Sequence, residues 1–408
     1  MIRKQISQAN KKNGCENSPP RSREFLATLI NQTIISKICH MHKITLCLFL
    51  VFLLSVFDVS SQSEEILLAR VNIGGEYGYY GYIDKTGKMA IEPQFDDAGD
   101  FKEGLAMIRM GNKWGYADKT GEIAIKPQFD DAADFQEGLA AIKLESKYGY
   151  IDRSGEIVIK QQFDYAGDFQ EGLAKIELGG KWGFIDKTGK IAIELQFDEV
   201  WFFQKGLARI QLGSKYGYVD KTGKRVINPQ FDQARDFKEG LAAIKLESKY
   251  GYIDKTGKAV TNPQFDAADN FQEGLAKIQL DAKWGFIDNT GKAVTKPQFD
   301  DAGSFQEGLA SVQMNAKWGY IDKTGKIVIS PQFDVAGDFK EGLARIKLDA
   351  KWGYIDKTGK IAISPQFDKA LDFQEGLAKI ELDGKYGFID KTGKIAIKPQ
   401  FGEVYKFR

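Results

Sequence analysis

An unbroken internal period limits what this chain can fold into more than any other feature. The motif aromatic-Gly-aromatic-x-Asp places its glycine at Gly81, Gly115, Gly149, Gly183, Gly217, Gly251, Gly285, Gly319, Gly353 and Gly387, each step being 34 residues with no insertion or deletion. A unit of this size cannot bury its own apolar face, so neighbouring units must supply the core. Helical repeats share this period, and composition separates the two cases. Each full unit carries glycines after the aromatic, after Thr or Ser, and after Glu or Lys, and most carry a Pro before Gln-Phe. The longest glycine-free stretch of the second unit, Glu122 to Glu137, contains Pro127. Interior Gly costs a helix about 1 kcal/mol and interior Pro about 3 kcal/mol, so packed helix pairs are excluded.

Strand signals fit instead. Ala344, Ile346 and Leu348 alternate with Arg345 and Lys347, the period of a half-buried strand. Asp349-Ala350 is a two-residue hairpin link, replaced elsewhere by Gly179-Gly180 and Gly111-Asn112. Trp352 to Asp356 is a second strand, Asp356 to Lys360 a turn in which Gly359 takes positive φ, and Ile361 to Ile363 a third strand. Two phenylalanines recur in the connection that follows, as Phe333 and Phe339 do, and read as packing between units. The expected fold is therefore all-β, a tandem array of ten 34-residue three-stranded meanders. Ten units exceed the common blade number of a propeller, and three short strands are lean for a blade. We therefore expect an open, curved β superhelix or solenoid, with a β-propeller-like ring as the alternative. An open array would tolerate excision of a whole unit, Lys249 to Ala282, with a modest loss of stability.

At Lys351-Trp352-Gly353-Tyr354-Ile355-Asp356-Lys357-Thr358-Gly359-Lys360 and its counterparts, the chain resembles the KWG or WG-containing repeat family. The resemblance covers residues 67 to 408 and implies a repeat-built, often exported bacterial protein with no agreed enzymatic activity. Unit one departs by the expansion Tyr77-Gly78-Tyr79, and units three and four carry Gln161 and Leu195 where Pro is usual.

The N-terminal region reads differently. Ile44 to Phe57 is almost wholly apolar, with Lys43 before it and Asp58 after it. It is shorter than the roughly 20 residues of a membrane span and suits a signal-peptide core. Residues 1–40 read as a mis-assigned or disordered extension ahead of a start at Met41, residues 41–61 as a signal peptide cut between Ser61 and Gln62, and residues 62–408 as the array. The expected localisation is secreted, periplasmic or cell-surface, with no transmembrane span in the mature protein.

Chemistry is sparse. Cys15, Cys39, Cys47, His40 and His42 all precede the expected cleavage, so thiol and imidazole catalysis and His- or Cys-ligated zinc have no residues to use. Overall charge nearly balances, at 57 Lys and Arg against 56 Asp and Glu, and the first 61 residues hold an excess of the bases. Nucleic acid is accordingly not an expected partner. The recurring Asp84, Asp118 and Asp152 read as turn caps, since the spacing of a calcium loop is missing. We expect no catalytic, cofactor or metal site, and no enzyme.

The aromatic before Gly is always Trp or Tyr and never Phe, which points to use of its polar tip. These residues are Tyr80, Trp114, Tyr148, Trp182, Tyr216, Tyr250, Trp284, Trp318, Trp352 and Tyr386. Either they cover the adjacent Gly and bond internally, or they form a ladder of rings for a ligand. The fourth unit adds Trp201 and Phe202 beside Phe203. The expected function is an exported binding scaffold that contacts a protein partner through an extended surface. The alternative is a glycan or cell-wall polysaccharide ligand on the Trp/Tyr ladder.

Overall fold

The structure is a computed structural model, and it describes residues 67–73 and 78–407. The extension, the apolar stretch at Ile44 to Phe57 and the cleavage site at Ser61 and Gln62 lie outside the described residues.

Each unit forms a four-stranded antiparallel sheet, one strand more than the sequence pattern predicts. In the second sheet the strands are Asp97–Ala98, Leu105–Met110, Lys113–Asp118 and Ile123–Phe129. The additional strand is hidden in the connection: Asp97 pairs with Arg109 and Ala98 with Ile108. Two residues are too few to show a period, which is why the segment reads as a loop. In the fourth and ninth sheets the same element lengthens to Tyr165–Gln170 and Val335–Lys340.

The expected open superhelix is wrong: ten blades close into a propeller. The first blade is made of Ala69–Ile73, Tyr79–Ile83 and Met89–Phe95, and its missing strand comes from the other end of the chain, Glu403–Val404. Val71 pairs with Val404 and Asn72 with Glu403, and Tyr405 N–H donates to Arg70 O at 2.8 Å. The core gives the same answer. Every apolar cluster joins residues of two adjacent blades, as Tyr82, Ile91 and Phe95 join Phe101, Ala106 and Ile108. Ten blades in a row have nine such junctions. Here a tenth cluster joins Phe388, Ile397 and Phe401 to Ala69, Val71 and Ile83.

Local chemistry explains the motif itself. A Cβ on Gly353 would lie 2.5 Å from Ile363 O and 2.6 Å from Pro365 N, so only glycine lets the fourth strand approach. That strand carries Pro at the blade edge, where a missing N–H is tolerated. Asp349 and Ala350 both have positive φ, 49° and 67°, as the tight hairpin requires. Both recurring phenylalanines are buried in every unit, Phe333 and Phe339 among them. The second pairs with the aromatic after Gly on the preceding blade, as Phe101 does with Tyr82 at 4.8 Å. Where that aromatic is Tyr, its hydroxyl also donates to the next blade, as from Tyr82 to Gly99 O at 2.7 Å and from Tyr150 to Gly167 O at 2.7 Å.

Candidate functional site

Antiparallel order puts the first-to-second and third-to-fourth turns at one end of each blade and the second-to-third turn at the other. Both ends carry ionic rungs. At the second-to-third end, Lys113 pairs with Asp130 at 2.5 Å, and Asp130 also accepts the Glu145 N–H of the next hairpin at 3.0 Å. Lys181 with Asp198 and Lys317 with Asp334 repeat the rung at 2.6 Å. The Lys113 bond holds the Asp130 carboxyl below the usual carboxylate range. At the opposite end, the Glu of most Glu-Gly turns accepts backbone N–H groups from the next blade, and Glu137, Glu171, Glu273, Glu307 and Glu341 also meet a Lys of that blade. Glu273 accepts from Gly308 at 2.9 Å and pairs with Lys323 at 3.1 Å.

The repeating Asp is a turn cap. Asp84 Oδ1 accepts from Thr86 N at 2.8 Å, Thr86 Oγ1 at 2.6 Å and Lys88 N at 3.1 Å, and Asp118 through Asp390 do the same. With the acceptor oxygen committed to three donors, little is left to coordinate an ion. Among the described residues no group of three or more His, Cys, Asp or Glu is placed to hold a metal.

The Trp and Tyr rings before Gly take an intermediate position. Tyr80, Trp114, Tyr148, Trp182, Tyr216, Tyr250, Trp284, Trp318, Trp352 and Tyr386 are all half-buried. A Lys or Arg of the second strand stands over several of them: Arg109 over Trp114, Lys143 over Tyr148, Lys277 over Trp284 and Lys379 over Tyr386, at 5.7, 5.2, 4.9 and 4.1 Å. The hydroxyl of Tyr148 donates to Asp131 at 2.8 Å and that of Tyr250 to Gln233 at 2.6 Å. Burial, then the bond to Asp131, pushes the Tyr148 hydroxyl up to about 12. At Tyr148 and Tyr250 the polar tip is used, and it is used at an exposed edge.

Blades three to five stand apart from this pattern. Tyr148 lies 5.7 Å from Tyr165, and Tyr165 lies 5.3 Å from Trp182. The Lys175 ammonium sits among three rings, 5.5 Å from Tyr165, 5.0 Å from Trp182 and 4.8 Å from Phe202. Trp201 follows, 5.7 Å from Tyr216, with the Arg209 guanidinium 3.9 Å from its face. Burial lowers the Lys175 pKa and raises that of Asp168 beside it. The fold therefore gathers Tyr148, Trp182, Trp201, Phe202 and Tyr216 into one aromatic and cationic run, and leaves Tyr250, Trp284, Trp318, Trp352 and Tyr386 as separate rings. Tyr165, Lys175 and Arg209 are missed by the sequence reading. A signal for Tyr165 exists in the register, for its position holds Asp131, Glu199, Gln233, Ala267, Asp301, Val335 and Lys369 in other units.

The cleft lined by Asp100, Leu371, Lys379, Val404, Tyr405 and Lys406 holds about 260 Å³, below the usual range of roughly 300 to 1,000 Å³ for ligand pockets.

The fold and the repeats together define a tandem-repeat β-propeller. The chain belongs to the WG containing repeat family, which matches residues 80–114, 114–148, 148–182, 182–216, 216–250, 250–284, 284–318, 318–352, 352–386 and 386–408. No curated protein matches the chain in sequence. Among solved structures it is similar to a eukaryotic initiation factor at TM-score 0.50 and 10% identity, over 84% of this chain and 98% of that one. Hsv2p of Kluyveromyces lactis overlaps at TM-score 0.32 and 8% identity, over 55% of this chain and 92% of that one. PorZ, a surface component of the type-IX secretion system of Porphyromonas gingivalis, overlaps at TM-score 0.27 and 10% identity, over 76% of this chain and 52% of that one. The first likeness concerns the fold alone, and the other two are too slight to carry any feature across.

Proposed function

We propose that the ring is a non-enzymatic binding platform, and that its ligand surface is the aromatic and cationic run on blades three to five, which takes a protein partner. The observation behind this reading is the grouping of Tyr165, Trp182, Phe202 and Trp201 around Lys175 and Arg209. Trp, Tyr and Arg dominate the energetics of protein interfaces because they bury large area at low entropic cost. A sugar stacks on a bare ring face, whereas here cations already stand over the rings, which favours a protein over a glycan. No described residue is His or Cys, and the repeating Asp and Glu side chains are held in turn caps and rungs, which supports reading the surface as one that holds a ligand.

The test compares the triple variant Tyr165→Ala, Trp201→Ala, Phe202→Ala with the control pair Trp284→Ala, Trp318→Ala. A cross-linked partner held by the wild type and the control, and lost from the triple variant, supports the reading. Equal capture by all three proteins sinks it, and retention on a glycan array that the triple variant loses would replace the protein ligand by a glycan. We also propose export, on the strength of Lys43, the apolar stretch and the Val59-Ser60-Ser61 ending. Mass spectrometry of the N-terminus should find Gln62 or a near neighbour, and an intact Met1 would refute export.

A further inference from the structure

The Glu-Gly turns form a repeated cradle in which the protein binds its own carboxylates. Glu171 accepts the N–H groups of Lys205 and Gly206, the latter at 3.0 Å, and pairs with Lys221 at 3.0 Å. Glu239 accepts from Glu273 and Gly274, both at 2.8 Å, one on each oxygen. Glu307 and Glu341 sit likewise, at 3.0 Å from Gly342 and Gly376, with Lys357 and Lys391 at 3.1 and 2.9 Å. The donors are successive N–H groups of a turn with two positive φ values, a shape that concentrates positive potential on one point. Bonding from the lysines and the turn amides outweighs desolvation, so Glu171, Glu273, Glu307 and Glu341 are held below the usual carboxylate range.

Between blades five and six the guest is missing and its host remains. The position that supplies the carboxylate is Lys205. The receiving turn keeps its form, with φ of 51° at Glu239 and 88° at Gly240, against 53° and 88° at Glu307 and Gly308. Neither the Glu239 nor the Gly240 N–H has an acceptor among the described residues. Lys255, the cation that would meet the absent carboxylate, reaches only Lys205 O, at 3.1 Å. Lys205 is exposed and brings a second cation.

We propose that this cradle, formed by the Glu239 and Gly240 N–H groups with Lys255 and Lys205, binds the carboxylate of an acidic side chain from a bound peptide. The two oxygens of a carboxylate match the two amides, as the protein's own Glu239 matches Glu273 and Gly274. Lysine in place of glutamate turns an internal rung into an external one. The acidic peptide as ligand rests on the reading of the ring as a protein-binding platform, but the cradle is at the opposite end of the blades from the second-to-third turns. Its test is therefore separate from that of the aromatic run.

The experiment is an NMR titration of the full chain labelled with ¹⁵N-glycine, using tetraglutamate, acetate and inorganic phosphate as probes. Gly240 should shift saturably with tetraglutamate and acetate, while Gly274, whose acceptor is Glu239, stays still. Lys205→Glu should move the free Gly240 resonance toward the ligand-bound position and abolish the response, because an internal carboxylate then fills the cradle. Lys255→Gln should weaken tetraglutamate about tenfold, the scale of losing one charge-assisted contact. No shift at Gly240 with any probe overturns the site, and a response to phosphate alone overturns the carboxylate assignment. Loss of the partner from the triple variant with Gly240 silent would leave the binding platform standing and remove only this inference.

Discussion

The junction between blades ten and one differs from the junctions inside the array in what holds it. Inside, the chain itself carries each first strand into its blade through the Glu-Gly turn, and the Lys–Asp and Glu–Lys rungs cross to the next blade. At the closing junction Glu403–Val404 reaches the first blade without a covalent link to Ala69–Ile73. Gly402 stands where other units have the Asp of the rung, so Lys385 has no such partner there. One Glu–Lys contact crosses, Lys85 with Glu375 at 3.5 Å, longer than Lys187 with Glu137 at 3.1 Å. Packing, by contrast, is complete: Phe388 meets Phe407 at 5.0 Å, as Tyr320 meets Phe339 at 5.0 Å. The Arg70 guanidinium also lies 3.8 Å from the Tyr405 ring. Apolar burial and the pairing of Val71 with Val404 thus close the ring where the Lys–Asp rung is missing and the Glu–Lys rung is longer.

Removing residues 402–408 should have the largest effect, since it takes away the pairing of Val71 with Val404 and the buried Val404 and Phe407 together. The exposed edge of Ala69–Ile73 should then drive association. Size-exclusion chromatography and thermal melting should show a large fall in midpoint with oligomers; an unchanged monomer would mean that closure contributes nothing. Excising Lys249 to Ala282 is now expected to cost more than an open array would suffer, because nine blades must reclose the same ring with changed angles.

Phe407→Ala comes next. Both Phe407 and Phe339 are buried, and truncating either should cost roughly 3 to 5 kcal/mol by cavity formation. Phe407→Ala should additionally release the terminal segment, seen as amide exchange at Val404 and Tyr405, while exchange around Phe339→Ala stays local. Equal exchange patterns would erase the distinction between the two junctions.

Acid should narrow the contrast, with the smallest effect. Lys113 and Lys317 hold Asp130 and Asp334 below the usual carboxylate range, as Thr120 holds Asp118. A folded pKa below the unfolded value gives stability that is present above the unfolded value and lost as pH falls through the folded one. Melting should be flat from neutral pH to just above the ordinary carboxylate range and fall below it. High salt should weaken the internal junctions more than the closing one. A midpoint that rises on acidification would contradict the role given to the rungs.

Much of the unit is legible in consecutive residues. The alternation of Ala344, Ile346 and Leu348 predicts their strand, Asp349-Ala350 its hairpin, and Asp356 with Gly359 its capped turn. The site is legible only in part: Trp201 and Phe202 stand out from their unit, but Lys175 is one lysine among many until the fold sets three rings around it. Lys205 is visible as a substitution for the usual Glu, whereas Lys255 is the ordinary lysine of its turn, and their meeting fifty residues apart requires the adjacent blades.

Closure was decided elsewhere. Among the described residues the array opens on what is the second strand of a blade, Ala69–Ile73, and closes on a first strand, Glu403–Val404, and the two make one whole sheet. That offset is written in the sequence, but it is masked by a strand of two residues, too short for any periodicity. Ring or open array depends on the small rotation each blade makes on the next, added ten times. Such an angle comes from the packing of Phe, Tyr and Ile side chains across each junction, and repeat spacing, composition and turn chemistry are the same for both outcomes.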